Sequence, residues 1–289
     1  MLELLITGTH SFIGGAVQRH LANSEQIHTS CVSLRGDAWK DLDLTRYDCI
    51  LHAAGVAHVD PNPSLAETYD AVNHRLTAQV ARKARAAGVG QFIFLSSIIV
   101  FGDASPAGVH TWIGADTPPN PSNAYGKSKL DAENALRALE SPDFRVAILR
   151  PPMVYGAGCK GNYNTLVRLA RKMPVFPAFD NHRSMIYVEN LAELIARIAL
   201  SGSRGTFHPR DGQPRSVSEI VQEICVCHAK RMRFTRALAP AVRLAGRKGL
   251  VRRAFGDMAY DASAPDFPEN YRLYDFSEAI RRTEGDAQW

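Results

Sequence analysis

The sequence predicts an α/β protein built on a doubly wound parallel sheet, with a smaller domain at the C-terminal end. Two observations support this. In the first half, apolar strand-like segments alternate with amphipathic helix-like ones; after Pro151-Pro152 the alternation weakens and Pro and Gly become frequent. Strands alternating with helices indicate βαβ units, whose sheets are parallel and covered on both faces. We expect a first domain over 1–152 and a second over 153–289, which returns segments near 183–200 to the sheet.

The elements follow in chain order. A strand is predicted where a short apolar run ends at a glycine, serine or proline, and a helix where apolar residues recur at helical spacing. The first-domain strands are LELLITG (2–8), TSCVSLR (29–35), YDCILHAAG (47–55), QFIFLSS (91–97) and RVAILRPP (145–152). The first-domain helices are SFIGGAVQRHLANS (11–24), LAETYDAVNHRLTAQVARKARAAG (65–88) and NAYGKSKLDAENALRALE (123–140). Helices or strand–helix pairs are expected later at NTLVRLARKM (164–173), RSMIYVENLAELIARIAL (183–200) and SVSEIVQEICVCHAK (216–230).

The composition is that of a globular chain. Its 289 residues are 45% hydrophobic and 22% charged, which suffices for a buried core in one or two domains. No apolar run approaches the roughly 18 residues that span a bilayer, and MLELLITG lacks the basic end of a signal peptide. The five cysteines are odd in number and scattered, as expected of reduced thiols in a cytoplasmic protein. Cys225 and Cys227 lack a second pair, so no metal site is expected.

The basic excess behind the net charge of +5 is concentrated in KRMRFTRALAPAVRLAGRKGLVRR, residues 230–253. A solvated helical face is the first interpretation. Contacts to a substrate phosphate are the second, and loose attachment to an anionic membrane surface is the third. Nucleic-acid binding is not expected, because Phe234 is the one aromatic residue of the segment available for base stacking.

The stretch LLITGTHSFIGGAV (4–17) combines a strand, a turn and a helix whose free N–H groups could face an anion. Gly8 can adopt the backbone angles of a tight turn, and Gly14 permits close helix–sheet packing. Ser11 stands at the middle position, where a glycine usually lets a diphosphate approach the backbone, and its hydroxyl can donate to phosphate instead. The motif predicts a dinucleotide-binding (Rossmann) turn, with a plain strand–turn–helix as the alternative.

A second motif, AYGKSK, places Tyr125 and Lys129 four residues apart on one face of a helix. A phenol with a pKa of about 10 is a poor base at neutral pH, and an adjacent ammonium is expected to bring that pKa toward the working range. Ser97 ends the strand QFIFLSS at the sheet edge where such folds bind ligands, placed to hold a substrate hydroxyl or carbonyl. With the glycine turn, these side chains predict acid–base chemistry beside a dinucleotide.

These motifs resemble the extended short-chain dehydrogenase/reductase family, in its NAD(P)-dependent epimerase/dehydratase group. The resemblance covers nearly the whole chain through TGTHSFIG (7–14), HAAG (52–55), SSIIVFG (96–102), YGKSK (125–129), LRPPMVYG (149–156) and RSMIYVENL (183–191). It implies that Tyr125 is the acid/base, that Lys129 binds the nicotinamide ribose and tunes Tyr125, and that Ser97 orients the substrate. It implies a cofactor site formed by Gly8, Ser11, Phe12, Ile13, Gly14, Arg35, Asp43, Leu44, Ala53, Ala54, Gly55, Asn73, Tyr125, Lys129, Pro151 and Met153.

The run from residue 155 to 191 resembles nucleotide-sugar enzymes of bacterial surface-polysaccharide pathways, which implies a nucleoside-diphosphate sugar, with UDP favoured. By this resemblance Asn162 and Arg183 hold the diphosphate. Phe176 is a candidate to stack on the base. The open alternatives are a turn residue for Asn162, a surface cation for Arg183 and core packing for Phe176.

Three first-domain residues have two interpretations each. Asp43 resembles the family acid that contacts the adenine amino group, and helix capping is its alternative. His52 is interpreted as a packed, hydrogen-bonded histidine and not as a base. Arg35 stands at the end of the second strand, where arginine pairs with a 2′-phosphate and acid selects NAD. NADP(H) is therefore favoured and NAD(H) remains possible, with an arginine lying over the adenine as the competing interpretation.

Two isoleucines reduce the number of reactions that the family resemblance allows. Dehydratases of the family resemble one another in carrying an acidic pair after the strand serine or threonine, and here Ile98 and Ile99 take those places, which disfavours 4,6-dehydration. The leading hypothesis is reduction of a 4-keto nucleotide sugar, followed by C4 epimerisation of a UDP-sugar. A non-catalytic dinucleotide-binding regulator comes third, and a nucleic-acid or membrane adaptor centred on 230–253 last. Family relatives often dimerise through the Tyr–Lys helix, so a homodimer is expected.

Overall fold

The computed structural model describes residues 1–56 and 65–285. Its strands are β1 Leu2–Thr7, β2 Ile27–Val32, β3 Cys49–His52, β4 Gln91–Leu95, β5 Trp112–Ile113, β6 Arg145–Leu149, β7 Met153–Tyr155, β8 Val175–Pro177, β9 Met185–Tyr187, β10 Gly205–Phe207, β11 Arg233–Thr235 and β12 Ala259–Tyr260. Six of them form a central sheet in the order β10-β6-β4-β3-β1-β2. Every pair in that sheet is parallel, which confirms the predicted fold class.

The helices cover both faces of this sheet. They are α1 Phe12–His20, α2 Ala66–Tyr69, α3 Thr77–Ala86, α4 Ala124–Arg137, α5 Asn162–Lys172, α6 Val188–Ser201, α7 Val217–Cys227, α8 Ala239–Leu244, α9 Gly249–Phe255 and α10 Phe276–Glu284. On β4, Ile93 and Leu95 join the core cluster of α1 and α6. Phe92 and Phe94 point the other way, into the cluster of α3 and α4. This alternation on a strand buried on both sides explains its uninterrupted apolar sequence.

The predicted helix over 65–88 forms, but its middle is wider than an α-helix. Asp70–Leu76 is a π-helical segment continuous with α2 and α3. Such segments are rare and occur mostly as local insertions, often beside functional sites. Here the segment carries Asn73, which is fully buried and hydrogen-bonds to the loop after β3.

Residues beyond 152 form small two-stranded sheets and return one strand to the centre. β7 pairs with β9, β8 with β11, and β5 with β12. β10 extends the central sheet beside β6, and α6 packs against that sheet. Strand pairing also links the two parts of the chain in the other direction: β5, which lies before residue 152, pairs with β12 from the C-terminal part. Within the described ranges, no helix has the length and hydropathy needed to cross a membrane.

Candidate active site

A large cleft opens at the carboxyl ends of the central strands, with a volume of about 1920 Å³. This edge is where open α/β sheets bind ligands. Thirteen of the residues predicted for cofactor or substrate line it: Ser11, Phe12, Ile13, Ala53, Ala54, Gly55, Ser97, Tyr125, Lys129, Pro151, Met153, Asn162 and Arg183. The fold thus brings together side chains that lie up to 172 positions apart in the chain.

The glycine turn has the geometry of a phosphate cradle. Gly8 has a φ of +90°, and a Cβ there would lie 2.9 Å from the Cα of Ala54, so only glycine fits without a shift of the backbone. A Cβ on Gly14 would meet Ile6 Cγ2 at 3.0 Å, which is the close helix–sheet contact that the motif predicts. The N-terminus of α1 therefore lies directly behind the loops that line the cleft, as binding of a dinucleotide diphosphate requires.

Ser11 is the N-cap of α1. Its Oγ accepts a hydrogen bond from the Gly14 N–H at 3.1 Å, which satisfies one of the free donors of the first turn. The hydroxyl proton is not used in that bond, so Ser11 can still donate to an anion in the cleft. The serine in place of the middle glycine is compatible with the cradle.

Asn73 and His52 hold the loop after β3 from behind. The Asn73 amide accepts from the Val56 N–H at 2.9 Å and donates to the Val56 carbonyl at 3.1 Å. His52 lies between the hydroxyls of Thr7 and Thr77, each 3.0 Å from one ring nitrogen. Burial lowers the pKa of His52 to about 3, so the ring is neutral at physiological pH, packed and hydrogen-bonded.

Tyr125 faces Ser97 across the cleft wall. The two side chains are hydrogen-bonded, and burial nevertheless raises the pKa of the Tyr125 phenol to about 12. This is opposite in direction to the lowering expected from the sequence. Desolvation penalises the phenolate more than the Ser97 hydrogen bond favours it, and the Lys129 ammonium is directed elsewhere. In this structure Tyr125 is therefore a protonated phenol at neutral pH.

Lys129 lies beneath the loop that carries Gly55. Its Nζ donates to the Leu95 carbonyl at 2.9 Å and sits 4.8 Å from the centre of the Phe94 ring. A Cβ at Gly55 would come within 3.4 Å of the same Nζ. Burial lowers the pKa of Lys129 to about 8, against the charge of Glu133, which raises it. The ammonium is thus partly desolvated at the cleft floor.

Replacing Lys129 by methionine should flatten the pH dependence of stability above pH 8. Between about 8 and 10.5 the unfolded chain holds the lysine proton and the folded chain does not, so wild-type stability rises with pH there. The slope from this one group is at most about 1.4 kcal/mol per pH unit. Chemical unfolding of both proteins at pH 7.5 and 9.5 measures the difference. Parallel pH profiles for the two proteins would contradict the buried-ammonium geometry.

A buried ion network, which the sequence did not reveal, stands behind Lys129. Glu133 follows Lys129 by one turn of α4 and is fully buried. Its Oε2 accepts from Arg150 Nη2 at 2.6 Å and from Arg137 Nη2 at 2.8 Å, and its Oε1 accepts from Ser96 Oγ at 2.5 Å. The network joins α4 to the ends of β4 and β6. These are the elements that carry Lys129, Ser97 and Pro151.

One end of the cleft combines the predicted Arg183 with cations of the basic segment. Arg183 Nη1 donates to the carbonyl oxygens of Arg253 and Gly256 at 2.6 Å and 3.2 Å, so Arg183 is buried and not a surface cation. Asn162 is exposed at the start of α5. Arg252 and Arg253 of α9 also line the cleft. The basic segment therefore contributes to the cleft wall as well as to the surface.

Seven predicted residues are not part of the cleft lining: Gly8, Gly14 and Asn73 support it as described above, and four others do not contribute to it. Phe176 is fully buried and packs on Phe234 and Phe255. Core packing, the alternative interpretation, describes its position, and stacking on a base does not. The Asp43 carboxylate accepts from the N–H and hydroxyl of Thr45. Leu44 is buried in the core and Arg35 is exposed after β2.

Comparison with known proteins identifies the group to which this architecture is similar. The family model described as "NAD dependent epimerase/dehydratase family" matches residues 4–207. The UDP-glucose 4-epimerase of Vibrio cholerae is 30% identical over 248 residues, which cover 78% of this chain and 75% of that protein.

Solved structures share the fold over almost the full length. The dTDP-4-dehydrorhamnose reductase of Bacillus anthracis, in complex with NADP, superposes with a TM-score of 0.70 at 20% identity, covering 98% of both chains. The UDP-N-acetylglucosamine 4-epimerase of Methanobrevibacter ruminantium, in complex with UDP-N-acetylmuramic acid, gives 0.71 at 17% identity, with 98% of this chain and 97% of that one covered.

Proposed function

This chain belongs to the NAD-dependent epimerase/dehydratase family, and we propose that it reduces the 4-keto group of a nucleoside-diphosphate sugar with NADP(H). The observation that carries the proposal is that the Tyr125 phenol and the Ser97 hydroxyl line the same cleft, where both can donate to one carbonyl oxygen. Reduction of a ketone needs a proton donor at that place. Arg35, which favours NADP(H), supports reduction over epimerisation, because a reductase consumes reduced dinucleotide and an epimerase retains its own.

The roles of the side chains follow from this arrangement. The bound dinucleotide supplies a hydride to sugar C4 when it is present. Ser97 donates a hydrogen bond to the C4 oxygen and polarises the carbonyl, and Tyr125 gives its proton to the same oxygen as the charge develops. The Lys129 ammonium, held beneath Gly55 and directed at the Leu95 carbonyl, would hold the nicotinamide ribose of a bound dinucleotide. One ketone, one hydride from the dinucleotide and one proton from Tyr125 would thus give one secondary alcohol, and a proton from solvent would restore the phenol.

Other residues support the substrate class. Arg183, Asn162, Arg252 and Arg253 bring cationic and amide groups to one end of the cleft, which suits a diphosphate. Two of the similar proteins described above are named for UDP-sugars and one for a dTDP-sugar, and UDP is favoured here. Ile98 lies in the cleft lining with Ile99. Neither side chain can carry a proton, which argues against dehydration.

C4 epimerisation of a UDP-sugar is the second candidate. The Vibrio cholerae relative is named as such an epimerase, and the same three side chains would serve. The two reactions differ in how the dinucleotide is used. An epimerase returns the hydride to the same sugar, whereas a reductase consumes one reduced dinucleotide per ketone.

The test is to incubate the purified protein with a UDP-4-keto sugar and NADPH and to follow nicotinamide absorbance and sugar product together. We expect one NADPH oxidised per ketone lost. In a parallel reaction, UDP-glucose and UDP-N-acetylglucosamine are supplied without added dinucleotide. Inversion at C4 there, with NAD released on denaturation, would establish the epimerase instead. Binding of dinucleotide with neither reaction would favour the non-catalytic regulator.

The same assay tests the cofactor preference. Arg35 is exposed at the end of β2, where a guanidinium can pair with a 2′-phosphate. The Arg35→Ala variant should raise the KM for NADPH roughly tenfold to a hundredfold, the size of a charge-assisted pair, and leave that for NADH almost unchanged. Equal changes for both dinucleotides would place Arg35 over the adenine and remove the preference for NADP(H).

A further inference from the structure

We propose that one face of the C-terminal part binds the surface of an anionic lipid bilayer. This basic face consists of the exposed side chains Arg236, Leu238, Leu244, Arg247 and Lys248. It covers α8 and the residues on either side of it. None of these side chains lines the cleft, so the function proposed for the face does not depend on the proposed reaction.

The charge of this region is one-sided. From residue 224 to 256 the sequence contains nine lysines and arginines and no aspartate or glutamate. That excess is larger than the net charge of +5 of the whole chain, so the remainder of the chain is net negative. A local field of this sign attracts a surface that presents many phosphates, and lysine or arginine clusters are the sequence feature of such peripheral attachment.

Apolar side chains protrude among these cations. Leu244 is 91% exposed and Leu238 is 37% exposed, and Ala241 is exposed one turn before Leu244. Exposed leucines beside lysine and arginine are what an interfacial segment presents to the boundary between headgroups and acyl chains. Cations alone would suit any polyanion. The leucines give the surface a second attraction, specific to lipid.

The other side of α8 fixes the basic face to the protein. Val242 is buried in the core of the C-terminal part, and a Cβ on Gly246 would lie 3.0 Å from the Ala107 carbonyl oxygen. The Arg243 guanidinium lies over the Phe179 ring. Within α8, Val242 points inward while Ala241 and Leu244 point outward, and Gly246 packs inward in the turn that follows the helix. The basic face is therefore presented in a fixed orientation.

Two other partners, single-stranded nucleic acid and a second copy of the chain, fit the basic face less well than a bilayer does. Single-stranded nucleic acid needs stacking aromatics, and Phe234, the aromatic of this segment, packs instead against Phe176. A second copy of the chain would bring the same cations together in a symmetric interface, which like charges disfavour. A bilayer with anionic lipids meets both the cations and the leucines.

Docking by this face would place the cleft beside the bilayer. Helix α9 begins directly after Lys248, and its residues Gly249, Arg252 and Arg253 line the cleft. The segment that meets the lipid is thus continuous with the segment at the substrate end of the cleft. An attached protein would take up or release its ligand close to the membrane surface.

The experiment is co-flotation of the full chain with vesicles of phosphatidylcholine alone or with about 30% phosphatidylglycerol, the anionic component that basic segments recognise. Wild type should partition onto the anionic vesicles at least about tenfold better than onto neutral ones. The triple variant Arg236→Gln, Arg247→Gln, Lys248→Gln should lose this preference. The double variant Leu238→Ser, Leu244→Ser should lower the partition at least about threefold at equal charge.

The matched control neutralises three exposed cations elsewhere, Arg82→Gln, Arg85→Gln and Arg204→Gln, and should bind anionic vesicles like wild type. Turnover in solution and circular dichroism should be unchanged in all variants. Wild type that floats with neither vesicle would overturn the proposal. It would also fail if the leucine variant bound as well as wild type and a DNA duplex competed equally, since the face would then be a general polyanion site.

Discussion

Replacing Tyr125 by phenylalanine is expected to lower kcat by at least about a thousandfold while leaving the affinity for dinucleotide within a factor of about three. The ring would remain in place, packed edge-on against Tyr69 at 5.7 Å between centroids, and only the proton donor would be lost. A positioned acid or base contributes roughly a hundredfold to ten-thousandfold to a rate. The measurement is single-turnover NADPH oxidation at saturating substrate, with dinucleotide binding followed by fluorescence.

Two variants make this result specific. Ser97→Ala keeps the phenol and removes its hydrogen-bond partner, so we expect an intermediate loss of about tenfold to a hundredfold, the range for one polarising donor. Tyr47→Phe removes a phenol from the core of the central sheet and should leave kcat unchanged. Tyr125→Phe retaining more than a tenth of wild-type kcat would mean that another group donates the proton and would refute the assigned role.

The parts of this site that the sequence predicted are those determined by local spacing. Tyr125 and Lys129 share a helix turn, Gly8 and Gly14 lie on either side of one turn, and Ser97 ends an apolar strand. Parallel strands bring their carboxyl ends to one edge, so positions at those ends meet without knowledge of tertiary contacts. For the same reason the doubly wound sheet could be predicted from the alternation of elements.

What the sequence did not predict depends on environment. The pKa of Tyr125 rises because desolvation exceeds the effect of its hydrogen bond to Ser97, and burial of a hydroxyl is not encoded by the spacing of Tyr and Lys. Phe176 beside Pro177 has the same sequence signature whether it faces a base or the core, and the pairing of β8 with β11 decides it. The sequence could indicate that Arg252 and Arg253 line the cleft, since their segment is the most basic of the chain and a diphosphate site needs cations.

Removal of Glu133 is expected to give the largest stability change. Glu133→Met leaves Arg150, which is 6% exposed, without its buried counter-charge, and breaking a buried pair on one side costs about 3–5 kcal/mol. Burial alone would raise the pKa of Glu133, and the hydrogen bond and charge of Arg150 outweigh that and lower it. Chemical unfolding at pH 7 measures the loss in the free energy of unfolding.

The double variant Glu133→Met, Arg150→Met separates charge pairing from packing. If Glu133→Met is destabilised because Arg150 is left without a counter-charge, removing both charges should recover at least about half of the lost free energy of unfolding. Apolar replacement of a complete buried pair is often near neutral. Arg150→Met alone should lower the free energy of unfolding as much as Glu133→Met, because it leaves the Glu133 carboxylate without the Arg150 counter-charge. A double variant no more stable than either single one would show that Glu133 acts through its bonds to Ser96 and Arg137.

Activity and stability should separate in the double variant, because Glu133 also acts on Lys129, the residue that we propose to hold the dinucleotide. Glu133 raises the pKa of Lys129, so its loss should move the ammonium further toward the neutral form at pH 7. The double variant should therefore keep much of its stability and still show a lower kcat at pH 7, with the KM for the nucleotide sugar nearly unchanged. Lowering the pH toward 6 should restore part of kcat, since protonation of Lys129 recovers there. A purely structural role would give a loss of activity that does not depend on pH.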